Sequence, residues 1–189
     1  RRKHQKGRTM AHYFTADTHF GDDNIRQFFG RPFRSAADMD AAMLANTARI
    51  GADDDYWHLG DFATCDSDAE RANAKRIFDA IPGRKHLIRG NHDGDWIADL
   101  PWASVHELFE LDIGARRFVL CHYPLLSWNG ARAGALHLFG HVHTRWRGAE
   151  GMVNVGVDLW QFGVVSAKAA ELAALTLPPS KLRQRVERL

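Results

Sequence analysis

Strand-like and helix-like segments alternate along the first half of this chain, and this alternation limits the folds open to it more than any other feature. Apolar runs at 10–17, 55–62 and 85–90 are rich in residues that favour strands. Helical patterns fill the two gaps, at 35–50 and 68–81. A strand, helix, strand series predicts a sheet with helices packed against it.

The second half of the chain predicts more strands and a closing helix. Apolar, strand-like runs indicate four further strands, at 104–113, 116–123, 135–143 and 151–158. The first two flank a turn at Gly114, and a helical pattern follows at 166–175. The two halves together predict an α/β fold in a single domain, 10–178, with mixed sheets and helical layers.

Polar residues that can bind metals or move protons follow these apolar runs, at the points where strands are predicted to end. They are Asp17, His19, Asp61, Asn91, His92, Asp93, His122, His141 and His143. Catalytic groups of α/β proteins gather at strand ends, where a rigid sheet holds the loops. Residues spaced i, i+2 in extended chain share a face, so Asp17 with His19, and His141 with His143, would point two ligands at one place. Each motif alone is weak, but the whole set in this order favours a metal site.

This set of motifs closely resembles that of the calcineurin-like metallophosphoesterase superfamily. The motifs are Asp17-Thr18-His19, Gly60-Asp61, Gly90-Asn91-His92-Asp93, His122 and Gly140-His141-Val142-His143. The runs "FTADTHFGDDNIR" and "VNVGVDLW" are similar to those of its small, cap-less bacterial and phage members. The position of Asp22 is often histidine in those members, and this departure puts substrate contacts rather than metal ligands in doubt.

The resemblance implies a four-layer αββα fold, a mixed-sheet β-sandwich flanked by helices, with two metal ions bridged by one carboxylate. Asp61 would be the bridge. The first ion would be held by Asp17, His19, Asp61 and His143, and the second by Asp61, Asn91, His122 and His141. A metal-bound hydroxide would attack the phosphorus, His92 would protonate the leaving oxygen as general acid, and Asp93 would orient His92.

The donor types themselves limit which metals would bind. Imidazole, carboxylate and one amide oxygen, without thiolate, suit hard or borderline divalent metals. For the two ions that the resemblance implies, we expect Mn²⁺, with Fe, Zn²⁺, Ni²⁺, Co²⁺ or Mg²⁺ as alternatives. A site that keeps net positive charge favours a phosphate ester as substrate, and two metals can stabilise both the attacking and leaving oxygens.

The substrate is less constrained than the metals. Short spacings between the motifs predict an open site without a cap, which suits phosphodiesters, nucleotides among them, or small monoesters. Asn24, Arg26 and Arg145 follow the motifs and are candidate phosphate contacts, although a solvated loop is an equal interpretation of each. His58 lies within a predicted strand, and we interpret it as structural.

Composition excludes some classes of protein. Apolar residues make up 45% and charged residues 25% of the 189, as in ordinary globular proteins. No apolar run is long enough to span a membrane, and two cysteines without an apolar export signal predict a reduced, cytoplasmic protein. Basic residues gather at 1–9, an expected disordered arm, and at 179–189, an expected tail. Nothing in the sequence indicates the oligomeric state.

Two other classes of function compete with a phosphoesterase. A metallo-β-lactamase-type hydrolase would carry an H-x-H-x-D-H signature, which this sequence lacks. A non-catalytic metal- or nucleic-acid-binding module would use the basic ends as contacts. The adjacent His92 and Asp93 argue against such a module, because binding alone does not need an acid and its orienting partner.

Overall fold

Ten strands and six α-helices make up the computed structural model, which describes residues 9–187. The strands are β1 (His12–Thr15), β2 (Asp55–His58), β3 (Arg84–Ile88), β4 (Ser104–His106), β5 (Leu108–Ile113), β6 (Arg116–Cys121), β7 (Leu136–Phe139), β8 (Gly148–Ala149), β9 (Met152–Asn154) and β10 (Val165–Ser166). The helices are α1 (Asp23–Phe28), α2 (Ala36–Ala45), α3 (Asp68–Ala80), α4 (Asp95–Ala98), α5 (Ala167–Thr176) and α6 (Lys181–Val186).

The strands form two mixed five-stranded sheets. The first has the order β10-β1-β2-β3-β4, with β1 to β4 parallel and β10 antiparallel to β1. The second has the order β5-β6-β7-β9-β8, with β6, β7 and β9 parallel and both edge strands antiparallel. The predicted fold class, a mixed-sheet sandwich flanked by helices, is confirmed.

Three buried apolar clusters show how the layers pack. One cluster joins the two sheets and includes Phe14, Trp57, Ile88, Phe118, Leu120 and Leu138. The alternate residues of the first sheet face α2 and α3, where Tyr56 and Leu87 pack with Met39 and Phe78. The outer face of the second sheet packs against the irregular segment around Trp128. The sheets therefore bury both faces, and their loops are free to carry function.

Helix boundaries follow the capping residues. Ser35 is the N-cap of α2, and its hydroxyl accepts a hydrogen bond from the Asp38 N–H at 3.1 Å. Ser67 and Glu70 form a reciprocal capping box at the start of α3. The parallel strands are thus joined by helices that begin where the sequence signals them.

The predicted strand at 104–113 is wrong in one respect, because it forms two strands in different sheets. Residues Ser104–His106 pair with β3, whereas Leu108–Ile113 pair with β6. Glu107, with its side chain 78% exposed, lies at the bend between them. The alternation of apolar and polar residues breaks at the bend, where two polar residues, His106 and Glu107, follow one another. A break of this kind does not by itself show that the pairing partner changes.

Helix α1 was not among the predicted elements. It spans only Asp23–Phe28, and Asp22 caps it by accepting hydrogen bonds from the N–H groups of Asn24 and Ile25. Six residues are too few to show a helical period, and none of them is buried. The helix is important for the site because it follows the Asp17-Thr18-His19 motif directly.

The end of the described chain packs on the domain. Arg183 of α6 lies with its guanidinium 4.2 Å from the ring centre of Trp128, and it donates a hydrogen bond to the Glu150 carbonyl. The predicted arm at 1–9 lies almost entirely outside the described residues, as do the last two residues of the predicted tail. No helix in the described part has the length and apolarity needed to cross a bilayer.

Glycines allow the loops at the strand ends to meet. A Cβ atom at Gly60 would lie 2.3 Å from Nδ1 of His122 and 2.7 Å from the Cα of Gly90. Gly60 also has a φ of +91°, which disfavours any side chain. The loops after β2, β3 and β6 therefore approach each other as closely as backbone atoms can.

We expect Gly60→Ala to destabilise the protein far more than Gly30→Ala. Gly30 also has a positive φ, +61°, but a Cβ there would meet nothing within 4 Å. In both variants an alanine must adopt a positive φ, which costs about 1–2 kcal/mol of unfolding free energy. Only in Gly60→Ala does the new Cβ also clash with neighbouring atoms, which adds roughly 1–3 kcal/mol. Urea unfolding of both variants measures the difference. Equal losses of unfolding free energy would show that the loops are not closely packed.

Candidate metal centre

One group of predicted ligands forms a buried cluster at the ends of β1 and β7. Ligand atoms of Asp17, His19 and His143 all lie within 4.8 Å of one another, and the three residues are 0%, 3% and 6% exposed. Oδ2 of Asp17 and Nε2 of His19 are buried without a hydrogen-bond partner among the described residues. Unpaired buried polar atoms are costly, so this cluster fits a cation well.

A second group lies beside it, at the ends of β2, β6 and β7. Ligand atoms of Asp61, His122 and His141 again lie within 4.8 Å of one another. The amide oxygen Oδ1 of Asn91 is 3.2 Å from Nε2 of His122. His141 is exposed whereas Asp61 and His122 are buried. The second cluster is thus open to solvent on the His141 side.

Asp61 lies between the two clusters. Its Oδ2 is 3.5 Å from Nε2 of His19 and 3.4 Å from Nε2 of His122. Its other oxygen, Oδ1, accepts a hydrogen bond from the backbone N–H of His92 at 2.9 Å. One carboxylate oxygen therefore faces imidazoles of both clusters, which is the position that the bridging role predicted from the sequence needs.

Asp17 is arranged in the same way. Its Oδ1 accepts a hydrogen bond from the backbone N–H of His141 at 2.8 Å, which leaves Oδ2 directed into the first cluster. Asp17 and Asp61 each use one oxygen to fix the loop of a distant motif. The ligand loops are therefore held to one another by the carboxylates that would also bind the ions.

Backbone strain is concentrated in these residues. Seven non-glycine residues of the described chain have positive φ angles, and five of them are predicted ligands: Asp17 (57°), His19 (47°), Asp61 (61°), His141 (69°) and His143 (48°). The left-handed region costs free energy for residues with a side chain, and such residues persist only where the surroundings determine them. The strain places the ligands at sharp turns after the strands.

Burial and neighbouring charges shift the ionisation of the cluster. Burial raises the pKa of Asp17 to about 6 and lowers the pKa of His19 to about 3. The pKa of Asp61 lies below its ordinary value, because the hydrogen bond and charge of His122 outweigh the effect of burial. The same pair raises the pKa of His122, again against burial. A neutral His19 and an ionised Asp61 are the ligand forms that divalent metals require.

Two residues that the sequence analysis did not select support the first cluster. Oδ2 of Asp158 lies 2.8 Å from Nδ1 of His143, so a proton there leaves Nε2 of His143 for a metal. Arg31 donates to both oxygens of Asp158, at 2.8 and 3.0 Å, and to the carbonyl of Asp17 at 2.6 Å. Asp158 lies at the end of the "VNVGVD" run, which could have indicated it, whereas no sequence signal marks Arg31.

His122 has its own supporting contact. Its Nδ1 lies 2.7 Å from the carbonyl oxygen of Leu59, to which it donates, so that Nε2 faces Asp61. His58, interpreted from the sequence as structural, is fully buried, and its Nε2 lies 2.8 Å from the Thr18 hydroxyl. Thr18 in turn donates to the Phe62 carbonyl at 2.7 Å. These contacts fix the loops on both sides of Asp61.

The predicted role of Asp93 as the residue that orients His92 needs correction. Its carboxylate accepts hydrogen bonds from three backbone N–H groups, those of Asp61, Phe62 and Gly90, each at 2.8 Å. Asp93 is 3% exposed, so both oxygens are committed to these loops. It is a positioning residue for the backbone of Asp61. Sequence adjacency to His92 suggested a side-chain contact that the turn at 90–93 does not make.

An open cavity of about 720 Å³ lies over both clusters. Its lining includes Asp61, Asn91, His92, His141 and His143 on one side. The exposed imidazole of His92 has its ring centre 5.3 Å from that of His19. A group bound at the clusters would therefore lie beside the His92 ring.

Of the three candidate phosphate contacts, one lines the cavity and two do not. Asn24 is exposed and lines the cavity. Arg26 is bound to Asp23 at 2.6 and 3.1 Å and to the Phe33 carbonyl at 2.9 Å, and it does not line the cavity. Its guanidinium stabilises α1, so its assignment as a phosphate contact is not supported. Arg145 is exposed and is likewise outside the lining.

The chain is similar to two curated proteins whose names state no activity. It is 28% identical over 133 residues to an uncharacterized protein of Methanocaldococcus jannaschii, which covers 69% of this chain and 68% of that protein. It is 34% identical over 84 residues to the gene 66 protein of Mycobacterium phage L5, which covers 43% of this chain and 39% of the phage protein. No family model matches the chain.

The chain is similar to solved structures to different degrees. A protein of unknown function from Aquifex aeolicus aligns with a TM-score of 0.69 and 24% identity, over 84% of this chain and 96% of that chain. A phosphoesterase from E. coli aligns with a TM-score of 0.41 and 16% identity, over 78% of each chain. The similarity to the Aquifex aeolicus protein establishes a shared fold. The similarity to the E. coli phosphoesterase is too weak to assign its activity to this chain.

We expect Asp158→Asn to weaken metal binding by about 10- to 100-fold, because His143 would lose the partner that fixes its ring. The variant should also lose about 3–5 kcal/mol of unfolding free energy, since Arg31 would be left buried without its counter-charge. Calorimetric titration with Mn²⁺ below the unfolding temperature measures the first effect. Asp112→Asn is the control, because Asp112 also binds an arginine through two oxygens, Arg117 at 2.9 and 3.0 Å, but on the surface. Equal metal affinity in both variants would contradict the role of Asp158.

We expect Asp93→Asn to reduce stability and His92→Asn to leave it nearly unchanged. An amide at position 93 would turn an –NH₂ group toward backbone N–H donors and leave at least one of them unpaired, at a cost of about 1–3 kcal/mol. His92 has an exposed ring, so its replacement removes little packing. Thermal unfolding of both variants tests this. A large loss of stability in His92→Asn, with none in Asp93→Asn, would contradict the role of Asp93 in fixing the backbone of these loops.

Proposed function

We propose that this protein is a metal-dependent phosphoesterase with a dinuclear centre. The observation that carries the proposal is the pair of adjacent ligand clusters with one oxygen of Asp61 facing both. Two clusters joined by a carboxylate have no evident structural purpose in a fold whose core is already formed by three apolar clusters. The resemblance of the motifs to the metallophosphoesterase superfamily supports the same activity.

The residues present fit two divalent ions. Asp17, His19 and His143 would hold one, and Asn91, His122 and His141 the other, with Asp61 shared. The unpartnered buried Oδ2 of Asp17 and Nε2 of His19 support this assignment, as does a donor set that suits Mn²⁺ among other divalent metals. When bound, such ions polarise a phosphoryl oxygen and lower the pKa of a bound water.

His92 would act as the general acid. Its backbone N–H is bonded to Oδ1 of Asp61, and this bond fixes the backbone from which the exposed imidazole extends into the cavity beside the clusters. A phosphate held at the clusters would present its leaving oxygen to this ring, and proton donation to that oxygen would favour bond cleavage. Asp93 contributes indirectly, since it fixes the backbone of Asp61 and of Gly90 on either side.

The open shape of the cavity supports phosphodiesters or small phosphate monoesters as substrates. Its walls are α1 and the ligand loops, and the volume of about 720 Å³ is open to solvent. A phosphodiester can therefore place its two organic groups on either side of the clusters. We propose diesters as the preferred class and small monoesters as accepted substrates.

Hydrolysis of bis-p-nitrophenyl phosphate, measured beside p-nitrophenyl phosphate, tests this proposal. Protein stripped with chelator should be inactive, and Mn²⁺ should restore turnover with the diester preferred. His92→Asn should lower kcat by about 10²–10⁴-fold, the usual contribution of a general acid, and Asp61→Asn should abolish turnover together with metal binding. His106→Asn is the matched control, because His106 lies on β4 and does not line the cavity.

Two results would overturn the proposal. Failure of the reconstituted protein to bind any divalent metal would remove its basis. Metal binding without cleavage of either ester or of a panel of nucleotides would favour a module that only binds, and salt-dependent affinity for RNA or DNA would then be the expected activity.

A further inference from the structure

An exposed aromatic side chain lines the same cavity as the ligand clusters. Phe28 of α1 is 72% exposed, the highest value among the large apolar side chains of the described residues. It lines the cavity together with Ile25 and Phe29. No residue of α1 is buried, so packing of the core does not account for this position.

The two adjacent phenylalanines have different surroundings. The Phe29 ring stacks on the imidazole of His143, with ring centres 3.8 Å apart and an angle of 14° between the planes. One face of Phe29 is thus used to hold a ligand histidine in place. Phe28 meets Phe29 edge to face, with ring centres 5.0 Å apart and an angle of 78°. Phe28 is therefore two ring contacts from the first cluster, and most of its surface faces the cavity and solvent.

Polar side chains accompany this aromatic surface. Asn24 and Gln27 come from the same short helix and also line the cavity. The amide nitrogen of Gln27 donates to Asp23 at 2.6 Å, so the orientation of Gln27 is fixed. An apolar ring with amide groups beside it is a surface that binds flat molecules by stacking and by hydrogen bonds to their edges.

We infer that Phe28 is a specificity-determining residue that stacks on a planar aromatic ring of the substrate. The inference rests on the proposed function, since the phosphate of the same molecule would be held at the ligand clusters. A nucleobase or a simple aryl ester group would supply this chemistry equally. An ester group without a flat ring would leave the Phe28 surface in water.

Affinity for paired phosphate monoesters tests this inference without requiring turnover. Phenyl phosphate is compared with cyclohexyl phosphate, and adenosine 5′-monophosphate with ribose 5-phosphate, by calorimetric titration into the Mn²⁺-loaded His92→Asn variant, in which slow turnover leaves the esters intact. The Phe28 variants are compared in the same His92→Asn background. Each pair differs in the aromatic ring. We expect the aromatic member to bind about tenfold more tightly, within the range that stacking of a base on an aromatic side chain provides.

Variants of Phe28 make the test specific. Phe28→Leu should abolish the tighter binding of the aromatic esters while leaving the affinity for inorganic phosphate unchanged. Phe28→Tyr should retain the tighter binding of the aromatic esters. Both variants should fold, because the side chain is mostly exposed. Trp146→Leu is the matched control, since Trp146 is a partly exposed aromatic residue that does not line the cavity.

The outcomes separate this inference from the proposed function. Cleavage of esters with no preference for the aromatic member, or with a preference that survives in Phe28→Leu, overturns the inference and leaves the phosphoesterase standing. A preference that depends on Phe28 without cleavage of any ester supports the inference and overturns the phosphoesterase.

A preference within the phenyl pair alone assigns the surface to simple aryl groups, and a preference in both pairs assigns it to nucleobases as well. Failure of inorganic phosphate to bind overturns both.

Discussion

The carboxylates of Asp17 and Asp61 are the constraint on which the rest of the site depends. Each is buried at the end of a parallel strand, and each accepts a backbone N–H from a loop that belongs to a different motif. The bond from His141 to Asp17 spans 124 positions of the chain, and the bond from His92 to Asp61 spans 31. Each bond uses the carboxylate oxygen Oδ1, while Oδ2 faces the cluster, so the same side chain can hold a loop and bind an ion. Preorganisation of this kind lowers the cost of binding.

The architecture and the positions of the candidate ligands could be predicted because their signals are local. A strand end followed by Asp-x-His or Gly-Asn-His-Asp is visible within a few residues. The sequence does not contain the pairings that decide the finer roles. Asp93 lies next to His92 in the chain, yet its carboxylate binds the backbone of residues 61, 62 and 90. Adjacency in sequence is a poor guide to side-chain contacts in a tight turn, where successive side chains point in different directions.

Contacts between distant segments explain the residues that the sequence did not reveal. Arg31 and Asp158 are 127 positions apart and become partners only when the first and last parts of the domain meet at the Asp17 loop. The bend at Glu107 was hidden for a related reason, because strand alternation carries no information on which sheet a strand joins. Helix α1 was hidden by its shortness. It nevertheless leads directly into Phe29, whose ring stacks on the candidate ligand His143.

The charges of the site explain why these loops tolerate so much strain. An ionised Asp61 lies within 3.5 Å of imidazoles from both clusters, and the Arg31 guanidinium contacts the Asp17 carbonyl and the Asp158 carboxylate in a region with almost no solvent. Such interactions are strong at low local dielectric, and several of them involve residues with a left-handed backbone, Asp17, His19 and Asp61 among them. The loop conformations are thus determined by ion pairs and hydrogen bonds rather than by propensity. Loss of one buried partner would therefore affect the loops of several candidate ligands together.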